Sequence, residues 1–149
     1  MRGGGAAVPS ALVKPIPRTK NSLLLRTDFS DEAAWDALRA TIEEPVDEFR
    51  AYVSCVSDRS FEGATVEQLV PLARDAGHGF AFVADRVALT DPEQAVLVVD
   101  IWHEPGRTFR VIPSEAWAVE NNLSLANLGF EDFANAVDQD GVFRGFPEA

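Results

Sequence analysis

Apolar and polar positions recur along this chain with two different periods, and these predict an alternation of strands and helices. Runs that are apolar throughout, or that alternate every second residue, predict three strands, at Leu23–Arg26, Phe49–Val56 and Gly79–Arg86. Apolar residues at helical spacing predict two helices between these strands, one from Asp31 to about Glu43 and one after the capping box Thr65–Gln68. Ser30 is the candidate N-cap of the first helix.

The second half of the chain predicts two more strands followed by two more helices. Val96–Pro113 is typical of two strands joined by a tight turn, and Pro105–Gly106 suits the two central positions of a type II turn. Ser114 is the candidate cap of a third helix. After Gly129, apolar residues at the i, i+3, i+4 and i+7 positions predict a fourth helix.

These elements predict a single domain of the α/β (or α+β) class, in the order β-α-β-α-β-β-β-α-α. Strands linked by helices pair in parallel through right-handed crossovers, whereas strands that follow each other closely form an antiparallel meander. We therefore expect a mixed sheet of about five strands with helices packed against it, in two or three layers. Residues 22–149 would form this domain, and residues 1–21, with three glycines and three prolines, would form a flexible basic leader.

An acid in the middle of an apolar run, Asp100, needs either a partner or a function, because charges are rarely buried alone. Matching apolar residues across the predicted hairpin places Ile101 opposite Phe109. Asp100 then lies opposite Arg110, which predicts a structural cross-strand ion pair. The alternative, a loop of only two residues, would place Ile101 opposite Arg110. The functional alternative is a carboxylate that binds a ligand cation or acts as a base.

Two acids, Asp28 and Asp31, flank the junction between the first strand and the first helix. In a parallel sheet they would lie at the carboxyl end of the strand, where α/β proteins usually bind ligands. Two carboxylates at that position could hold Mg²⁺. The same residues also suit a helix start, because carboxylates cap helix N-termini and complement the helix dipole. We favour capping and expect no metal site.

Two further groups of residues are candidates for a ligand or partner surface. Trp102, His103 and Glu104 lie at the tip of the predicted hairpin, where a partner could reach them. Asn121 and Asn122 lie in the third predicted helix, although asparagine competes with the helical backbone for hydrogen bonds. The asparagine pair therefore indicates a kink, a helix break or a polar contact surface.

Charge is distributed unevenly along the chain, whose net charge is −11. The first twenty residues hold four basic residues and no acid, whereas the rest of the chain holds nine arginines and all 24 acids, which leaves −15. Such a body repels phosphate backbones, which argues against nucleic-acid binding and suits a basic protein partner. No apolar run is long enough to span a membrane, and we expect a cytoplasmic protein. The single cysteine, Cys55, excludes an internal disulfide and is expected to be a buried, inert thiol.

Four stretches carry the most distinctive sequence of the chain: LLLRTDFSDEAAWDAL, AVLVVDIW, TFRVIPSEAWAVENNLSLANLGFEDFANAV and GVFRGF. Together they resemble an uncharacterised, actinobacterial-type family of small acidic proteins, which is a domain of unknown function. The resemblance spans Ser22 to Phe146. It implies one intact domain and assigns no activity, cofactor or site residue.

From these features we expect a non-catalytic protein-interaction module that is immunity-, adaptor- or regulator-like. It would use no cofactor, bind a basic protein partner, and exist as a monomer or a homodimer. The alternative is a small-molecule or metal-binding protein, or an enzyme, that uses an acidic cluster at the strand ends.

Overall fold

A mixed sheet of six strands crosses the protein, whose computed structural model describes residues 14–147. In chain order the strands are β1 (Ser22–Arg26), β2 (Val53–Val56), β3 (Phe80–Ala84), β4 (Val96–Asp100), β5 (Thr108–Val111) and β6 (Val142–Phe143). The helices are α1 (Glu32–Glu43), α2 (Val66–Asp75), α3 (Arg86–Thr90), α4 (Ala116–Ser124) and α5 (Phe130–Ala134), with single 3-10 turns at Arg59–Phe61 and Pro113–Glu115. None of these helices has the length and apolar character needed to span a membrane.

The strands lie in the order β2-β1-β3-β4-β5-β6 across the sheet. β1 is parallel to both β2 and β3, while β4 is antiparallel to β3 and β5, so the predicted parallel crossovers and antiparallel meander are confirmed. The capping box Thr65–Gln68 of α2 is confirmed as well. The sequence analysis missed α3 and β6, because elements of five and two residues are too short to show a period.

Both faces of the sheet are covered, which makes the domain a three-layer α/β sandwich. Leu24 of β1 faces a core shared with Trp35 of α1. Its neighbours Leu23 and Leu25 face a second core on the opposite side, which they share with Leu69 of α2. A strand buried on both faces needs apolar residues at successive positions, which explains why the leucine run shows no alternation.

The chain before β1 packs against the domain along α2. Ile16 is only 4% exposed and belongs to the same core as α2. Arg18 Nη2 donates a hydrogen bond to the Asp75 carbonyl oxygen at 3.2 Å, and His78 Nε2 lies 3.2 Å from the Pro17 carbonyl oxygen. The folded body therefore begins before residue 22, while residues 1–13 of the predicted leader lie outside the described residues.

The two helix caps predicted on serine are wrong. Asp31 caps α1 in place of Ser30, since its carboxylate accepts a hydrogen bond from the Ala34 N–H at 2.9 Å. Ser114 lies inside the 3-10 turn Pro113–Glu115, and the N-cap of α4 makes no side-chain hydrogen bond. In both places the N-cap lies one residue later than the cap pattern predicts.

The predicted ion pair between Asp100 and Arg110 is also wrong. Arg110 lies opposite Leu97, three residues before Asp100, and therefore on the other face of the sheet. Its guanidinium binds Asp85 with two hydrogen bonds of 2.7 and 3.0 Å. The Asp85 carboxylate also accepts a hydrogen bond from the Ala88 N–H and so caps α3. One carboxylate thus joins the end of β3, the start of α3 and the middle of β5.

Because Asp85 serves both Arg110 and α3, Asp85→Ala should remove two interactions at once. We expect the free energy of unfolding, measured by urea denaturation, to fall by about 2 kcal/mol. The control Asp36→Ala breaks the exposed ion pair with Arg39 and should cost less than about 0.5 kcal/mol. Equal effects of the two substitutions would contradict this role for Asp85.

Cys55, on the edge strand β2, is half-buried and has no disulfide partner. Burial raises the pKa of its thiol from 9.0 to about 11, and the nearby Glu43 carboxylate contributes in the same direction.

At pH 8 the folded protein should therefore react with iodoacetamide about a hundredfold more slowly than the urea-unfolded chain, because only the thiolate reacts. The raised pKa also means that ionisation of Cys55 destabilises the fold as the pH rises from 9 towards 11. Equal alkylation rates in the folded and unfolded states would show that the thiol is not shielded.

Candidate functional site

A cleft lies at the edge of the sheet where the parallel strands β1, β2 and β3 begin. It consists of two adjoining cavities of about 560 and 500 Å³, which share Gly79, Phe80 and Leu123 as lining residues. We call the first the apolar half, lined chiefly by Phe80, Trp102, Leu123, Leu128 and Phe130. We call the second the polar half, lined chiefly by Ser22, Tyr52, His78, Glu120 and Ser124. Together the two halves have the size and the mixed lining of a binding site.

Trp102 lies at the mouth of the apolar half, with 54% of its surface exposed. The Arg74 guanidinium of α2 stacks on the indole, 4.9 Å from the ring centroid, and Arg74 Nη2 donates a 3.0 Å hydrogen bond to the Ile101 carbonyl oxygen. His103 lines the same half, whereas Glu104 next to it forms an exposed ion pair with Arg107. The structure thus places two of the three predicted hairpin-tip residues in the cleft lining.

Asp100 supports this loop from below and is only 2% exposed. Its carboxylate accepts hydrogen bonds from the backbone N–H groups of Trp102, His103 and Glu104, at 3.2, 3.2 and 3.0 Å. These three N–H donors occupy the hydrogen-bonding positions of the carboxylate that an arginine was predicted to occupy. The loop therefore begins directly after Asp100 and runs to Arg107, which moves the strand register away from the one that side-chain matching predicts.

The far side of the same loop contains the turn that the sequence predicts. The Arg107 N–H donates to the Glu104 carbonyl oxygen at 2.9 Å, across Pro105 and Gly106. Gly106 has a φ of +91°, as the third position of a type II turn requires. The turn chemistry was therefore predicted correctly, and the loop around it comprises residues 101–107.

Glu120 of α4 is a functional candidate that the sequence analysis missed. It is 4% exposed, and its carboxylate accepts four hydrogen bonds. The donors are the Tyr52 N–H (2.9 Å), the Asn121 side-chain amide (3.0 Å), and the hydroxyls of Ser22 (2.9 Å) and Ser124 (2.6 Å). A signal was present, because position 120 follows Ala116 by four residues and precedes Leu123 by three, which places a charge on the apolar face of the helix.

The predicted asparagine pair lies in the last turns of α4, beside the polar half. Asn121 donates a second hydrogen bond, at 2.9 Å, to the Arg50 carbonyl oxygen, which ties α4 to the chain entering β2. Asn122 donates to the Ala118 carbonyl oxygen, and its own carbonyl accepts from the Asn127 N–H as the helix ends. Of the three alternatives for this pair, the structure shows a helix end together with a polar contact inside the domain.

Asp28 and Asp31 lie at the opposite edge of the sheet from the cleft. Asp31 is occupied as the cap of α1. Asp28 accepts a 2.6 Å hydrogen bond from the Ser30 hydroxyl and lines a smaller cavity of about 340 Å³, which Asp85 also lines. Within residues 14–147 no group of three or more metal-ligating side chains comes together. The structure therefore does not bring the predicted acids Asp28, Asp31 and Asp100 to one place.

Arg26, the last residue of β1, fills much of that carboxyl edge. Its guanidinium is buried between the rings of Phe29 and Trp35, at 4.3 and 5.3 Å from their centroids. Arg26 Nε donates to the Asp28 carbonyl oxygen, and Nη1 reaches the Ser57 hydroxyl that follows β2. The side chain thus bridges the ends of two parallel strands, at the edge where α/β sheets usually open to a ligand.

Four carboxyl groups of the described residues have a displaced pKa; they are Asp58, Glu93, Glu115 and Asp140. Hydrogen bonds from Arg144 lower the pKa of both Glu93 and Asp140, on the far side of the domain.

Asp100→Asn should loosen the loop that carries Trp102, because the new amide would turn an N–H group towards backbone donors. We expect the free energy of unfolding to fall by about 2 kcal/mol in urea denaturation. Hydrogen exchange at the amides of residues 102–104 should accelerate in the same variant. Glu104→Gln, an exposed change in the same loop, should alter the stability by less than about 0.5 kcal/mol. Unchanged exchange in Asp100→Asn would contradict the support that Asp100 gives to the loop.

The comparison with known families agrees with the resemblance of the sequence stretches. A family model described as a domain of unknown function (DUF6924) matches residues 21–146, which is most of the chain. No curated protein matches the sequence. The match begins next to the first residue of β1 and extends past the last strand, so it includes the apolar half and all of the polar half except Thr19 and Lys20. The chain therefore belongs to the DUF6924 family of domains of unknown function.

Proposed function

We propose that the protein is a non-catalytic protein-interaction module, immunity-, adaptor- or regulator-like, which binds its partner in the cleft. The observation that carries this proposal is the half-exposed Trp102 at the mouth of an open apolar cavity of about 560 Å³. Large aromatic side chains beside apolar clefts are the residues that most often dominate the binding energy of protein interfaces.

The loop under Trp102 supports the same proposal, because it is held in place before any partner arrives. Asp100 binds three successive backbone N–H groups of the loop, and Arg74 stacks on the indole. A surface that is already ordered loses less conformational entropy on binding. Trp102 is therefore suited to act as a rigid anchor.

The alternative of an acidic catalytic or metal cluster has less support. It requires Asp28, Asp31 and Asp100 to converge, but the first two lie at the opposite edge of the sheet from the third. Asp31 and Asp100 are also engaged with backbone N–H groups. We therefore do not propose a catalytic role.

The charge of the chain favours a basic partner. The net charge is −11, and three carboxylates but one lysine line the cleft in the described part of the chain. Opposite charge would accelerate the association of such a partner. In the same proposal the protein is cytoplasmic and comes from an actinobacterial-type family of small acidic proteins, which agrees with the lack of lysine after residue 20.

Site-specific photo-crosslinking in cells of the native host tests this function. A photo-reactive phenylalanine analogue at Leu128, in the apolar half, should give a crosslinked product of one defined mass. The same analogue at Val87, which is 50% exposed at the opposite edge, should not give this product. Adding Trp102→Ala to the Leu128 variant should reduce the product at least about tenfold. Equal crosslinking from both positions, or no effect of Trp102→Ala, would refute the cleft as the binding surface.

A further inference from the structure

The carboxylate of Glu120 is buried without a compensating positive charge. All four of its hydrogen-bond donors are neutral groups. Among residues 14–147, no salt bridge includes Glu120. Hydrogen bonds satisfy the lone pairs of a buried carboxylate, but its charge remains costly unless a cation lies nearby. The polar half of the cleft, which Glu120 lines, is the open space from which such a cation can approach.

Two serine hydroxyls extend the negative character of Glu120 into the cleft. Ser22 and Ser124 both donate to Glu120 Oε2 and both line the polar half. A hydroxyl that donates its proton inwards keeps its oxygen lone pairs as acceptors on the other side. Bonding to a carboxylate polarises such an oxygen and strengthens it as an acceptor. The polar half therefore offers acceptors, backed by a charge, to the donors of an ammonium or guanidinium group.

The two halves of the cleft adjoin at Phe80 and Leu123, so that one bound segment can occupy both. We infer that the partner segment places a lysine or arginine side chain in the polar half, near Glu120, and an apolar side chain in the apolar half, beside Trp102. This inference rests on the proposed function and adds to it the chemical character of the partner segment. The commitment to a basic segment follows from the carboxylates of the cleft and from the acidic body of the chain.

Lys20 places a positive charge beside the position that the partner's cation would occupy. Its side chain is exposed and lines the polar half, and no salt bridge in the described part of the chain includes it. A like charge beside the incoming cation weakens binding. Removing the Lys20 charge should therefore strengthen the binding of a basic segment, whereas removing the Glu120 charge should weaken it.

Glu120→Gln removes the charge with little change in shape. The new amide oxygen can accept from the Tyr52 N–H and the Asn121 side chain, at the position of Oε1. The new NH₂ group can donate to the two serine hydroxyls, which also act as acceptors. The variant should therefore fold as the wild type does. Asp36→Asn is the matched control, because it changes the net charge equally at an exposed site on α1, outside the cleft.

A random dodecapeptide library displayed on phage tests the inference with the full chain as bait. We expect wild type to select peptides with a lysine or arginine at a constant spacing from an aromatic or aliphatic residue. The most enriched peptide is then synthesised and titrated against each variant. Glu120→Gln should weaken its binding about tenfold, and Asp36→Asn less than about twofold. Lys20→Gln should strengthen binding, which provides a second readout that does not depend on Glu120.

Other outcomes separate this inference from the proposed function. Selected peptides that are apolar without a basic residue, or that bind Glu120→Gln and wild type equally, would overturn the inference and leave the cleft as a protein-binding surface. Equal weakening by Glu120→Gln and Asp36→Asn would also overturn it, since the effect would then be one of net charge. A library that enriches no peptide for wild type over Trp102→Ala would overturn the proposed function as well.

Discussion

The need to satisfy two buried carboxylates shapes the edge of the sheet that carries the cleft. Asp100 accepts hydrogen bonds from three backbone N–H groups and thereby orders the loop that carries Trp102. Glu120 accepts from the start of β1, the chain entering β2 and its own helix, and so holds three elements around the polar half. Because a buried charge without hydrogen bonds is strongly destabilising, these contacts constrain the surrounding backbone. Each half of the cleft is thus shaped by one buried carboxylate and its hydrogen-bond donors.

The two edges of the parallel strands have taken different roles in this domain. At the carboxyl edge, where α/β folds usually bind ligands, the buried Arg26 bridges the residues that follow β1 and β2. At the amino edge, helix α4 and the loop after β4 stand apart and leave the cleft open. The side-chain hydrogen bonds at the carboxyl edge support the fold, and the amino edge presents a cleft with an exposed indole. The proposed binding surface therefore lies at the amino edge of the parallel strands, whereas the α/β fold class favours the carboxyl edge.

Much of the architecture could be predicted because it rests on local periodicity. The apolar spacing of α1, the capping box of α2 and the turn at Pro105–Gly106 depend on residues within a few positions of each other. The hairpin register could not be predicted in this way. Side-chain matching pairs Asp100 with Arg110. In the structure, backbone N–H groups bind Asp100 instead, and Arg110 binds Asp85, which directly follows β3. The donors that bind Asp100 follow it within 4 residues, whereas Asp85 is 25 residues away from Arg110.

The amino-acid sequence by itself determined the fold class, the parallel and antiparallel halves of the sheet and the acidic character of the chain. It also marked Trp102 and His103, which line the cleft. Only the tertiary structure decided that Arg110 binds Asp85, and only it brought Ser22, Tyr52 and Glu120 to one place. The physical reason is distance along the chain. Periodicity reflects residues within one helical turn or one strand, whereas a buried charge binds whichever donors the packed chain brings within about 3 Å.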